Sequence, residues 1–271
     1  MNASKMNRSF LMSIAAILLF SCNTRKLSVP IADFENTDRV YQYSLFTALA
    51  NSVYDGTMTV AGVKTKGDMG LGTYNGLDGE MIVNNGKFYQ FPASGEVTKP
   101  ADKALVPFTV VKFFQPDFVV ETGPVTDYPA LKTLAEKQFS SPNYIYALKV
   151  SGTFSRIICG SAEKQELPYE KTLSEAIANR PVFEWKNVEG TLVGFWFPEY
   201  VGGVNIPGFH LHFISTDETK AGHVLEFEAA SLKLEIDQSS GLEFDLPETE
   251  AFKTKIFDLS QGYNKTVAPA K

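Results

Sequence analysis

The chain's three histidines all fall between positions 210 and 223, in Gly208-Phe209-His210-Leu211-His212-Phe213-Ile214 and Ala221-Gly222-His223-Val224-Leu225. Imidazole in its neutral form is the commonest protein ligand for a metal ion, and it titrates near physiological pH. His210 and His212 alternate with Phe209, Leu211 and Phe213, the two-residue period of a strand. Both rings therefore share one face, with Cα atoms roughly 6.5–7 Å apart. The polar run Ser215-Thr216-Asp217-Glu218-Thr219-Lys220 reads as a hairpin loop, and an antiparallel return brings His223 beside the pair. Three neutral His ligands suit Zn²⁺ with a fourth position left open for water or substrate. The same spacing also fits a strand whose inward histidines are satisfied by hydrogen bonds, with the third placed by coincidence.

A second group of residues is the glycine-rich run Gly70-Leu71-Gly72-Thr73-Tyr74-Asn75-Gly76-Leu77-Asp78-Gly79-Glu80. It lacks the Gly-Lys-[Ser/Thr] ending of a phosphate-binding loop, and no βαβ unit surrounds it. It reads as a tight loop before a hairpin, where glycine supplies positive φ. The alternative places Glu80, at the edge of the apolar strand Met81-Ile82-Val83, in a pocket.

The elements that must position these residues are mostly strands. A helix is expected from Thr37 or Asp38 to about Val53, then strands over 57–60, 87–91 and 108–114. Asn84-Asn85-Gly86 marks a hairpin. A helix is predicted over 129–139, opened by Pro129. Strands are expected at 144–150 and 153–159, and Thr172-Leu173-Ser174-Glu175 is a capping box for a short helix ending at Arg180-Pro181. Strands over 182–185, 191–197, 209–214, 224–229 and 232–236 complete the pattern. The fold class is α+β: two β-rich subdomains of mixed and antiparallel sheets with few helices. They are expected over residues 37–142 and 143–271, the second carrying the metal site. The Phe residues are read as core.

The N-terminus carries a different signal. Lys5 and Arg8 precede the apolar run Phe10–Phe20, which ends in Ser21-Cys22. This describes a secretory signal over residues 1–21, too short for a membrane-spanning helix of about 20 apolar residues. Cys22 resembles the lipidated first residue of a bacterial lipoprotein, with 22–36 as its tether. The protein is then exported and lipid-anchored at the cell envelope, its only membrane contact. Cys159 is the one other cysteine, so no disulfide is expected within the lipidated chain. Removal of Lys5 and Arg8 takes the net charge from −6 to −8, which gives no electrostatic footprint for nucleic acid. A homodimer is compatible with the chain.

The segments Tyr41-Gln42-Tyr43-Ser44, Val53-Tyr54-Asp55-Gly56, Gly72-Thr73-Tyr74-Asn75-Gly76-Leu77-Asp78-Gly79-Glu80, Val188-Glu189-Gly190-Thr191 and Pro207-Gly208-Phe209-His210-Leu211-His212-Phe213 resemble α-acetolactate decarboxylase. The resemblance runs in order from about residue 38 to 250. Cupins also use His-x-His, but their glutamate follows three or four residues later, where this chain has none. The resemblance implies two β-rich subdomains with zinc between them, bound by His210, His212 and His223. It implies conversion of 2-acetolactate, a small 2-hydroxy-3-keto acid, to acetoin and CO₂, with Zn²⁺ stabilising an enediolate. Glu80 would handle the proton or hold a metal-bound water, and Thr73 would line the pocket.

Two departures stand out. Family members carry an arginine suited to fork a carboxylate on the strand after Gly152-Thr153-Phe154, and here Gly160 takes that place. Arg156 lies on the same strand face but roughly 13 Å away. Family members also commonly end in a tail whose glutamate approaches the metal, whereas Asn264–Lys271 contains no acid. Weakened carboxylate recognition, an altered substrate, or a metal-binding lipoprotein without catalysis is the expectation that follows from these losses.

Overall fold

Val40, Tyr41 and Tyr43 are strand-forming residues, and the computed structural model, which describes residues 38–261, buries all three. Arg39–Tyr43 is accordingly strand β1, not the first half of a helix running to Val53. Ser44, with φ of 69°, turns the chain, and only Phe46–Ala50 is helical (α1). The segments expected to be signal, tether with Cys22, and acid-free tail lie outside the described residues.

Met58–Thr59 (β2) is brief because Val60 opens helix α2 (Val60–Lys64), capped by Thr59 Oγ1 accepting from Gly62 N–H at 3.1 Å. The glycine-rich run is not all loop, since Met69–Thr73 is a fully buried strand, β3. Gly70 and Gly72 permit close pairing there: a Cβ on either would run into the carbonyl oxygens of Val110 and Phe108 on the neighbouring strand. The turn proper is Tyr74–Gly79, and it delivers the chain into β4 (Glu80–Asn84). Asn85 and Gly86, at φ 51° and 73°, form the expected hairpin to β5 (Lys87–Phe91). Leu105–Val106 (β6), Phe108–Lys112 (β7) and Phe118–Glu121 (β8) follow. Helix α3 (Tyr128–Glu136) starts where Pro129 suggests, with the Asp127 carboxylate accepting from Ala130 N–H at 2.8 Å.

The second half is built on long strands. The two short strands expected at 144–150 and 153–159 are one 16-residue strand, β9 (Ile145–Gly160). The pair expected at 182–185 and 191–197 is likewise β10 (Val182–Phe197). Between them stands α4 (Leu173–Ile177), where the Glu175 carboxylate accepts from Thr172 N–H at 2.8 Å. Then come β11 (Gly208–Ser215), β12 (Ala221–Ser239), β13 (Gly241–Asp245) and helix α5 (Glu250–Thr254).

The described strands form a six-stranded sheet, β13-β1-β7-β3-β4-β5, and a five-stranded sheet, β11-β10-β9-β12-β8, with β2 and β6 paired apart. The first sheet is mixed, because β1 runs parallel to β13 and antiparallel to β7. In the second, β11 pairs with β12 as well as β10, so four strands close on themselves. Membership does not divide at residue 142. Strand β8 and helix α3, which precede that point, pack with the second sheet, and β13, which follows it, joins the first.

Alternation decides which face meets which. Leu71, Ile82, Phe91 and Phe108 of the first sheet pack against Ala147, Val193, Phe195 and Ala221 of the second in one shared core. The opposite residues of the second sheet, Leu148, Val150 and Phe154 among them, are covered by Tyr128, Leu131 and Ala135 of α3. Tyr41, Met81, Val83 and Val111 on the outer face of the first sheet pack with Val60 and Val63 of α2. The central strands β3 and β7 are thus buried on both faces and read as nearly continuous runs without charge until Lys112, whereas β8, β13 and the first half of β10 stay partly exposed.

Candidate metal centre

Strands β11 and β12 face the first sheet with their histidines. His212 and His223 stand directly opposite each other in the antiparallel register, and His210 lies on the same face two residues before His212. Each offers a ring nitrogen, and the three nitrogens lie within 4.8 Å of one another. The ring centroids are 4.9–5.3 Å apart.

The ring orientations suit a cation. His212 Nδ1–H donates to the Met81 carbonyl at 2.8 Å, so its Nε2 presents a lone pair to the site, the usual outer support of a ligating histidine. His210 Nε2 lies 3.2 Å from His223 Nδ1. His223 Nε2 is buried and has no hydrogen-bond partner among the described residues, a costly state for a polar atom. Burial holds all three imidazoles neutral, depressing His212 to about 4 and driving His210 and His223 well below the usual range. Three neutral, converging imidazoles with one orphaned nitrogen fit a divalent ion bound by nitrogen ligands.

Glu80 enters from the other sheet. Its Oε2 is 3.4 Å from His212 Nε2, and its Oε1 accepts from the Ala162 N–H at 3.2 Å. The side chain is 13 % exposed. Desolvation raises its pKa to about 7, against the opposing pull of the Arg180 charge and the Ala162 hydrogen bond. Thr73 stands opposite Glu80 in the β3–β4 register. Its hydroxyl donates to the Gly79 carbonyl at 2.7 Å, which closes the turn that aims Glu80.

All five residues border one small cavity of about 50 Å³, partly open to solvent. Apolar side chains from α1 (Phe46, Leu49) and α4 (Leu173, Ile177) form much of its wall. The three histidines, Glu80 and Thr73 thus line one cavity, while Cys22 lies outside the described residues.

One lining residue has no counterpart in the sequence reading. Arg180, just beyond α4, borders the cavity beside the very glycine that replaces the expected arginine. A Cβ built on Gly160 would lie 2.7 Å from Arg180 Nε and 2.9 Å from its Cδ. The only signal for this in the sequence is an arginine fixed before Pro181 at a helix end. Arg156 is occupied elsewhere, with Nε 3.0 Å from Glu184 and NH1 3.0 Å from Glu226.

A family model described as alpha-acetolactate decarboxylase matches residues 40–259. An alpha-acetolactate decarboxylase of Brevibacillus brevis is 36 % identical, over 91 % of this chain and 93 % of its own. One from Methanosarcina mazei is 38 % identical, over 85 % of this chain and 80 % of its own. The crystal structure of alpha-acetolactate decarboxylase from Bacillus subtilis superposes with a TM-score of 0.81 at 31 % identity, covering 86 % of this chain and all of that one.

Proposed function

The chain belongs to the alpha-acetolactate decarboxylase family, and from that premise we propose that it converts 2-acetolactate to acetoin and CO₂ using one zinc ion held by His210, His212 and His223. The observation that carries this reading is the meeting of three neutral imidazoles with a mostly buried carboxyl in a single cavity.

Loss of CO₂ from a β-keto acid leaves an electron pair that must move into the adjacent ketone. Zinc, when bound, supplies a Lewis acid for that oxygen. The rest falls to the protein. The new C–H bond of acetoin takes one proton, and Glu80, lifted by burial to about 7, holds one where a neutral-pH enzyme needs it. Solvent at the cavity mouth returns that proton after turnover. Thr73 keeps the Gly79 carbonyl in place and so holds Glu80 in its orientation. The apolar wall from α1 and α4 limits water around the departing CO₂.

The test is acetoin formation from racemic acetolactate by the full-length protein, with zinc supplied and with zinc stripped. Rapid, zinc-dependent acetoin formation is expected. A protein that binds one metal per chain and yields no acetoin refutes the decarboxylase reading and leaves a metal-binding lipoprotein. The same preparation tests the anchor proposed at Cys22, because a lipidated chain is recovered from membranes only with detergent. Recovery in the aqueous fraction counts against it.

A further inference from the structure

The cavity must accept an anion, and its lining offers a single cationic side chain, Arg180. Among the described residues, the guanidinium of Arg180 has no hydrogen-bond or ion-pair partner. It is nevertheless half-buried and pays for that desolvation. A structural arginine in such a place is normally tied to an acid, as Arg156 is to Glu184 and Glu226. An untied guanidinium facing a cavity is arranged for a ligand with matching geometry, and the planar fork matches a carboxylate.

The route by which Arg180 arrives is specific. Helix α4 ends at Ile177, the Arg180 N–H donates to the Ile177 carbonyl at 3.2 Å, and Ser161 N–H donates to the Pro181 carbonyl at 3.1 Å. These bonds lay the post-helix turn against the end of β9. There Gly160 pairs with Val182 on one side and His223 on the other. Any side chain at 160 would occupy the space that Arg180 Nε and Cδ now fill. The absence of a Cβ at 160 and the presence of an arginine at 180 are two halves of one arrangement.

We propose that Arg180, reaching into the cavity across Gly160, recognises the substrate's carboxylate, so that the guanidinium is supplied from the α4–β10 turn instead of from β9. The proposal rests on the decarboxylase reading for the identity of the acid. It replaces the expectation that carboxylate recognition is weakened by the glycine at 160. The carboxylate loses its charge as CO₂ departs, so the pairing is strongest with bound substrate. Its loss should therefore raise KM more than it lowers kcat.

Binding separates this claim from turnover. The probe is the dihydroxy acid made by reducing the ketone of acetolactate, which cannot lose CO₂, compared with its methyl ester by calorimetry on the zinc-loaded protein. Arg180→Ala should weaken binding of the acid on the order of 30-fold or more and leave the ester nearly unchanged. Arg180→Lys, which keeps charge without the fork, should fall between the two and serves if the alanine variant folds poorly. Gly160→Ala should weaken the acid in the presence of Arg180, because the new methyl displaces the guanidinium, and should have no effect on binding in the Arg180→Ala background. Equal acid binding with and without the Arg180 guanidinium overturns the proposal. So does a loss shared equally by acid and ester. Either result stands whether or not the wild-type protein forms acetoin, so failure here is distinct from failure of the decarboxylase reading.

Discussion

On the decarboxylation proposed above, Glu80 delivers a proton near neutrality, and burial between the two sheets raises its pKa to about 7. Among the protein's own groups, the Arg180 charge and the Ala162 N–H oppose that desolvation, and a zinc ion on the three histidines would oppose it further. Glu80→Gln keeps the shape and can still accept from Ala162, but it has no transferable proton. We expect acetoin formation to fall on the order of 10²–10⁴-fold while zinc stays at one per chain by metal analysis. Loss of zinc together with activity would mean that Glu80 holds the metal instead of handling the proton. At this scale much of the site is legible in the sequence, because a two-residue period and a hairpin loop are local signals that bring His210, His212 and His223 to one face. Arg180 is not legible. Its neighbour Gly160 is separated from it by α4 and an irregular connection, and no periodicity links the two.

The β11–β12 hairpin carries all three histidines, and its tip is pinned to the opposite sheet by Glu218. That side chain takes hydrogen bonds from Lys87 Nζ and Tyr89 Oη of β5, each at 2.8 Å, and pairs with Lys99 at 3.1 Å. These partners depress its pKa from 4.5 to about 2. A depressed folded-state pKa means stability that is present above the unfolded value of 4.5 and lost as pH falls through about 2. The Tm of wild type should therefore exceed that of Glu218→Gln at pH 7, and the gap should close between pH 4.5 and 2. A gap independent of pH would show that the hairpin does not depend on this carboxylate. Local turn and cap chemistry made the Asn85-Gly86 hairpin and helices α3 and α4 readable. Tertiary pairing overrode the rest: β1 looked helical until β7 and β13 claimed it. The glycines of β3 looked like loop because their role is close approach to another strand. The long strands looked like pairs of short ones because irregularities interrupt them: the β9–β12 register shifts between Ala229 and Leu232, and Asn187 of β10, with φ of 53°, has no partner of its own between Lys186 and Val188.

The site exists only while the two sheets stay together, since Glu80 and Thr73 come from one and the histidines from the other. Apolar packing supplies most of that association, and besides the His212–Met81 hydrogen bond a buried ion pair crosses it. Lys112 of β7 donates to Asp237 of β12 and, at 2.9 Å, to the Ser239 hydroxyl. The lysine side chain is wholly buried. Asp237 also accepts from the Gln115 N–H at 2.7 Å. Desolvation dominates at both ends, lowering Lys112 and raising Asp237 to about 6. Such a pair adds little net stability over an apolar replacement, yet breaking it strands a buried charge. Lys112→Met should therefore cost about 3–5 kcal/mol, read as a lower urea midpoint at pH 7. Lys112→Met with Asp237→Asn removes the stranded charge and keeps an acceptor for Gln115, so the double variant should regain most of the loss. On the zinc reading proposed above, the ion binds only the folded arrangement, so saturating metal should raise the midpoint of wild type and of both variants by RT ln(1 + [Zn]/Kd). If Lys112→Met instead unfolds with the midpoint of wild type, the ion pair contributes nothing to keeping the site assembled.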